Sequence, residues 1–209
     1  MNSPLKVWGR ISSINVRKVV WTAQELGVNF ERLDAGGMFG IVKTPEFLAL
    51  NPNAMIPVIE DGGYVLWESN VIVRYLCAKH ATGSLYPVDL QERFDAERWM
   101  DWQQTELNPA GRNGFLQLVR TPPEQRDAGL IAESNAAVEA LMAQLDAHLE
   151  GRCFMVAERF TVADIPLGCA VHRWLNLPQT RQARPNVERW FAAMNARPAA
   201  KGLLDVALS

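Results

Sequence analysis

The sequence predicts an α/β domain followed by an all-α domain, on three observations. A strand, a helix and a second strand at the N-terminus have the lengths of a βαβ unit with parallel strands and a right-handed crossover. A hairpin and an amphipathic helix complete that unit by residue 81. Beyond residue 88 every periodic segment has helical spacing. The expected division is residues 1–81, a linker at 82–88 and a helical domain at 89–209.

Leu5-Lys6-Val7-Trp8 alternates weakly and reads as the first strand. Gly9 to Ile14 is a loop with two consecutive hydroxyls, Ser12 and Ser13. Val16, Val19, Val20, Ala23 and Leu26 then recur on one helical face, so a helix runs from about Asn15 to Leu26 with Gly27 at its C′ position. Phe30 to Asp34 alternates as a second strand, and the glycine-bearing stretch from Ala35 to Thr44 should be a mobile loop. Pro45 opens a short helix. Ile56-Pro57-Val58-Ile59 is an apolar strand beginning near a proline, which is tolerated at a strand start because proline has no N–H for the ladder. Asp61-Gly62-Gly63 is a hairpin turn and Tyr64 to Trp67 the returning strand. Glu68-Ser69-Asn70 opens a helix whose apolar face is expected to carry Val71, Ile72, Tyr75 and Leu76.

In the second half, Thr82 to Val88 is small and polar with a Gly and a Pro, as a linker should be. Asp89 to about Leu118 reads as one long helix, bent near Pro109, Gly111 and Gly114. Thr121-Pro122-Pro123 breaks the chain, and Val138, Leu141, Met142, Leu145 and Leu149 form the cleanest stripe, stopped by Gly151. Thr161 to Asp164 has the form of a capping box with Asp in place of Glu, and Phe160 is placed for a hydrophobic staple. The helix it starts, Ile165 to Trp174, is apolar nearly all round and should lie at the domain centre. Pro185 to Ala196 is the last amphipathic helix.

The stretch Asn51 to Leu76 concentrates the chemistry. A cis Ile56–Pro57 bond, which only an X-Pro sequence allows cheaply, would turn the polar backbone of Ile56 away from the sheet. An acid, a hydroxyl and free helix N-terminal N–H groups follow at Glu68-Ser69-Asn70. A free backbone edge beside a helix N-terminus suits an extended peptide that bears a carboxylate. With Asn51-Pro52, Ile56-Pro57, Asp61, Glu68-Ser69 and Ile72 at their spacings, the run resembles the glutathione-binding half of the soluble glutathione S-transferases. The strand order resembles a thioredoxin-like domain, and the T-x-A-D motif at Thr161 resembles the family's all-helical domain, so the resemblance covers the whole chain. The closest group in pattern is the serine-dependent, bacterial theta/phi-like one.

The resemblance implies glutathione as co-substrate. The backbone at Ile56, before Pro57, would pair with its cysteinyl part. Glu68 would take the γ-glutamyl ammonium, and Ser69 the adjoining carboxylate. Lys43 stands where the family has a basic residue for the glycyl carboxylate. Met55 departs from the pattern, because the family commonly has Gln or Lys there and Met donates no hydrogen bond. A thiol with a pKa near roughly 8.5 needs a donor aimed at sulfur, beside a helix N-terminus, to react as thiolate at neutral pH. The family pattern S-x-x-x-[RK]-x-V matches Ser13 to Val19 and selects Ser13 as the catalytic hydroxyl, with Ser12 and Asn15 as alternatives; all three also suit helix capping. A small hydrophobic electrophile would lie between Ile11 and the long helix, where Arg112, Phe115 and Trp174 are candidates. The implied role is detoxification by a cytoplasmic homodimer. The rival readings are a non-catalytic binding or regulatory protein on the same fold, and a glutathione-dependent peroxidase, dehalogenase or isomerase.

Composition narrows the alternatives. Formal net charge is −2 over 209 residues, so no nucleic-acid surface is expected, and no membrane partner. No targeting segment is visible at the start of the chain. Cys77, Cys153 and Cys169 are widely spaced, without a C-x-x-C or Cys/His pattern, so each is expected to pack as a small apolar side chain and no metal is expected. Where thioredoxin-type enzymes carry cysteine this chain has Ser13-Ile14-Asn15-Val16, which disfavours disulfide exchange. His80, His148 and His172 are far apart on helices, and neither G-x-S-x-G nor a phosphate loop is present.

Overall fold

The computed structural model describes residues 4–209. They fall into two compact units, one ending at Val88 and the other comprising Asp89–Ser209.

The first unit is built on a four-stranded sheet. Strand β1 (Leu5–Trp8) is followed by helix α1 (Ile14–Glu25), β2 (Phe30–Leu33), α2 (Pro45–Leu50), the hairpin β3 (Val58–Asp61) and β4 (Tyr64–Trp67), and α3 (Ser69–His80). The strand order is β2-β1-β3-β4. β1 runs parallel to β2, while β3 is antiparallel to both β1 and β4. This is the thioredoxin-like order expected from the sequence. Val7, Val58 and Ile59 of the central strands are fully buried, as are Val16, Val19, Trp21 and Ala23 of α1.

Two expectations shift here. β3 begins at Val58, so Ile56 and Pro57 precede the strand. Proline has no N–H to offer a ladder, and the register with β1 starts only at Trp8↔Val58. The buried face of α3 is Ser69, Ile72, Val73, Leu76 and Cys77, while Val71 is 44% exposed. Because Ser69 lies inside, the stripe begins one position away from where the apolar residues alone put it. The stretch Gly36 to Gly40 is a loop with a 3-10 turn at Gly37–Phe39, closed by Gly36 N–H donating to the Gly40 carbonyl.

The second unit is helical. α4 (Leu90–Trp102), capped by the Asp89 side chain, runs into a π-helical turn at Gln103–Leu107. The short pieces α5 (Asn108–Ala110) and α6 (Arg112–Phe115) follow on either side of Gly111, and a second π turn covers Leu116–Arg120. The expected single long helix is therefore broken at Gly111, inside the predicted bend. α7 (Ala128–His148), α8 (Asp164–Asn176) and α9 (Pro185–Asn195) complete the unit. α8 is buried from Asp164 to His172 and again at Trp174, as its all-round apolarity requires.

The box before α8 differs in detail from the standard form. Asp164 Oδ2 accepts the Thr161 N–H at 2.8 Å, but the Thr161 hydroxyl donates to the same oxygen at 3.3 Å instead of capping the helix. Asp164 Oδ1 accepts from Met155 N and from Trp190 Nε1, both at 3.0 Å. This carboxyl thus joins the loop before α8 to α9. Burial pushes its pKa up to about 6, against the pull of those donors. Cys77 and Cys169 are buried as small apolar side chains, whereas Cys153 is exposed in the bend after α7.

Candidate glutathione site

Ser13 is the N-cap residue of α1, with extended backbone (φ −76°, ψ 125°), and its side chain makes no capping hydrogen bond. A hydroxyl at a helix N-terminus that leaves the helix uncapped is available to a ligand there. The loop that carries it is pinned by its backbone: Gly9 N donates to Leu33 O at 2.8 Å, Arg10 N to Ala35 O at 3.1 Å, and Ser13 N to Arg10 O at 3.1 Å. Arg32 also donates to the Gly9 carbonyl at 2.9 Å. Ile11, Ser12, Ser13 and Asn15 are each partly exposed on this loop and the first turn of α1. Asn15 Oδ1 is buried without a hydrogen-bond partner among the described residues.

The Ile56–Pro57 peptide bond is cis. Because Trp8 pairs with Val58, the end of β1 and the start of β3 lie side by side, and the residues beyond each meet. Gly9 makes this approach possible. A Cβ there would lie 2.4 Å from Val16 Cγ2 and 3.3 Å from Ile56 Cβ, and its φ is +147°. A Cβ on Gly36 would lie 3.0 Å from Ile56 Cδ1. The Ile56 side chain is therefore seated between two glycines, its backbone outside the sheet and next to the Ser13 loop.

Asn51 fixes the other side of this segment. It is 2% exposed, and its Nδ2 donates to the Met55 carbonyl at 2.9 Å. Its Oδ1 accepts from Asn53 N and Asn53 Nδ2, both at 3.0 Å. The Met55 side chain itself is 63% exposed. Lys43 is exposed two residues before α2.

Glu68 is the N-cap of α3 and is exposed, with φ +73° and no capping bond from its side chain. A non-glycine residue held at positive φ costs of order 1–3 kcal/mol and tends to mark a functional constraint. The carboxylate is left free beside Ser69, which is only 3% exposed and sits in the first turn of α3. The second turn of α1 and the first turn of α3 are tied together by a buried bond, Lys18 Nζ to Asn70 Oδ1 at 3.1 Å. Within this unit the pairings Trp8↔Val58 and Val58↔Trp67 bring together the chain segments that carry Ser13, Ile56-Pro57 and Glu68-Ser69.

Gly9, Lys18, Asn51 and Asn70 had no functional role in the sequence reading. For Lys18 a signal exists: a cation four residues after Ile14 and four before Thr22 lies on the buried side of α1.

The remaining candidates belong to the helical unit. Arg112 is exposed at the start of α6. Phe115 is 7% exposed, with the guanidinium groups of Arg173 and Arg120 stacked 4.5 Å and 4.9 Å from its ring centre, so little of the ring is open to a substrate. Trp174 is 2% exposed and donates to Glu139 at 2.9 Å, as a core residue. Among the described residues no helix is long and apolar enough to cross a membrane.

Comparison with known proteins agrees with this architecture. Residues 3–78 match the model of the glutathione S-transferase N-terminal domain, and residues 112–198 that of the C-terminal domain. Glutathione S-transferase GstB of Escherichia coli K12 is 39% identical over 98% of this chain and 100% of its own length. The theta class glutathione S-transferase of Xanthomonas axonopodis pv. citri, solved with glutathione bound, is 40% identical. It covers 99% of this chain and 100% of its own, with a TM-score of 0.95. A probable elongation factor 1-gamma 2 of Arabidopsis thaliana is 31% identical over 90% of this chain but only 46% of that protein. With both domain models matched and a full-length relative at this identity, the chain belongs to the glutathione S-transferase family.

Proposed function

We propose that this glutathione transferase activates the thiol of bound glutathione through the Ser13 hydroxyl and delivers the thiolate to a small hydrophobic electrophile. The observation that carries this reading is the Ser13 side chain, placed at the N-terminus of α1 and not spent on capping it. A hydroxyl donating to sulfur, with the positive end of the helix behind it, favours the anion over the thiol. The thiol proton leaves to solvent, the sulfur lone pair forms the C–S bond, and the leaving group departs with its electrons.

The other residues supply binding. The backbone of Ile56 offers its N–H and carbonyl to the cysteinyl unit as a short antiparallel pair. Glu68 pairs with the γ-glutamyl ammonium, and Ser69 with its backbone N–H takes the carboxylate at the α3 N-terminus. Lys43 is the candidate partner of the glycyl carboxylate, a task Met55 cannot share. Ile11 and Arg112 are the candidates for the electrophile side. A cytoplasmic homodimer, with residues 82–88 as the linker between domains, belongs to the same proposal.

The test is glutathione binding by calorimetry. Glu68→Gln and Ser69→Ala should each weaken it by about tenfold, the loss of one charge-assisted hydrogen bond. Wild-type affinity in both variants would refute the assignment. A relative named as an elongation factor and not as a transferase matches most of this chain, which keeps open a second reading, a binding protein on the same fold. That reading predicts bound glutathione whose thiol keeps its solution pKa.

A further inference from the structure

Glu68 is held at its positive φ from both sides. Before it, Trp67 ends β4 and is paired with Val58 of β3. After it, Ser69 and Asn70 are both buried, so α3 is packed from its first residue onward. Asn70 is also anchored sideways, its Oδ1 accepting from Lys18 Nζ of α1 at 3.1 Å. Glu68 alone lies between the end of the ladder and this anchored turn, and it takes up the mismatch at φ +73°. A strained φ of this kind persists only where the surrounding structure over-determines it. Lys18 itself is fully buried. Taking an ammonium out of water is costly, and an apolar side chain of similar volume would pack α1 on α3 without that cost. Apolar packing is non-directional, however, whereas a hydrogen bond to Asn70 fixes the first turn of α3 in one orientation.

We propose that Lys18 is a positioning residue for glutathione: through Asn70 it clamps the first turn of α3, keeps Glu68 in its strained conformation, and so fixes where the Glu68 carboxylate meets the γ-glutamyl ammonium. This rests on the reading of Glu68 as the partner of that ammonium. Without the clamp the first turn of α3 relaxes, Glu68 returns to a negative φ, and its carboxylate leaves the place where the ammonium is bound. Every group involved belongs to the first unit.

The experiment measures glutathione binding by calorimetry for Lys18→Met, alone and combined with Glu68→Gln, beside the melting temperature of each variant. Methionine is unbranched and adaptable, so α1 still packs on α3. Lys18→Met alone should weaken binding by about threefold or more. Combined with Glu68→Gln it should add little to the loss that Glu68→Gln already causes, because a charge that is absent cannot be misplaced. A lower melting temperature with unchanged affinity would overturn the proposal and leave the bond a purely structural tie. An equal loss of affinity in both backgrounds would overturn it too, since Lys18 would then not act through Glu68. Asn70→Ala cuts the same bond from the α3 side and carries the same expectations if Lys18→Met does not fold. Failure of the underlying reading looks different: Glu68→Gln alone would bind glutathione as wild type does, and the assignment of Glu68 would fall together with this proposal.

Discussion

Replacing Asp164 by alanine should be among the most damaging single changes to the helical unit, and the structure gives both its size and its pH dependence. The carboxylate is fully buried and accepts three N–H donors, from Met155, Thr161 and Trp190, and a fourth bond from the Thr161 hydroxyl. Alanine leaves the three N–H groups buried without an acceptor, at about 1–3 kcal/mol each, so a loss of about 3–6 kcal/mol is expected after partial relaxation. The pKa sets the pH dependence. Burial raises it from 3.8 in the unfolded chain to about 6 in the folded one. Between those values the folded state holds the proton more tightly, so the contribution of Asp164 is largest near pH 4 and falls as pH rises through about 6. A difference of about two pKa values corresponds to about 3 kcal/mol. Urea unfolding of wild type and Asp164→Ala near pH 5 and near pH 8 should therefore show a larger mutational cost at the lower pH. A cost below about 1 kcal/mol at both, or a cost that grows with pH, would refute this account of the network.

Other expectations concern the site's supports. Gly9→Ala places a methyl 2.4 Å from Val16 Cγ2 at a φ of +147°. It should lower stability by about 1–3 kcal/mol and weaken glutathione binding by displacing the Ile56 backbone, both measurable on one sample by unfolding and calorimetry. Thr161→Ala removes one hydroxyl donor to Asp164 but keeps the N–H bond, so it should cost about 1 kcal/mol, well below Asp164→Ala. Equal costs would show that the hydroxyl, and not the backbone, carries the link.

Much of the fold was legible because local signals and tertiary demands agree. The alternation at Leu5–Trp8 and the stripe from Val16 to Ala23 identify β1 and α1 to within a residue or so of the observed bounds. Pro57 and the Glu68-Ser69 pair carry the resemblance to the glutathione S-transferase N-terminal domain, which the family match over residues 3–78 bears out.

The misses have physical causes. The inner face of α3 is legible at Ile72 and Leu76 but not at Ser69 and Val73, because hydrophobicity does not reveal that Ser69 is buried and sets the face. The kink near Gly111 is legible, but the Ser134 hydroxyl of α7 that accepts the Gly114 N–H beside it is not, since it lies 20 residues away on another helix. Likewise the bond between Lys18 and Asn70 spans 52 positions: helical spacing puts Lys18 on the buried side of α1 but does not name its partner. The expectation that Cys153 packs as a small apolar side chain fails, since it lies exposed in the bend after α7.

The central claim is that Ser13 makes bound glutathione a thiolate, and its most direct test is the ultraviolet absorbance of bound glutathione thiolate against pH, for wild type and Ser13→Ala. In wild type the apparent thiol pKa should lie well below the free value of roughly 8.5. A hydrogen bond to a charged sulfur contributes about 1.5–3 kcal/mol, so the variant should raise that pKa by about 1–2 while still binding glutathione. A variant that binds glutathione with the wild-type thiol pKa would contradict the claim and move the donor to Ser12 or Asn15.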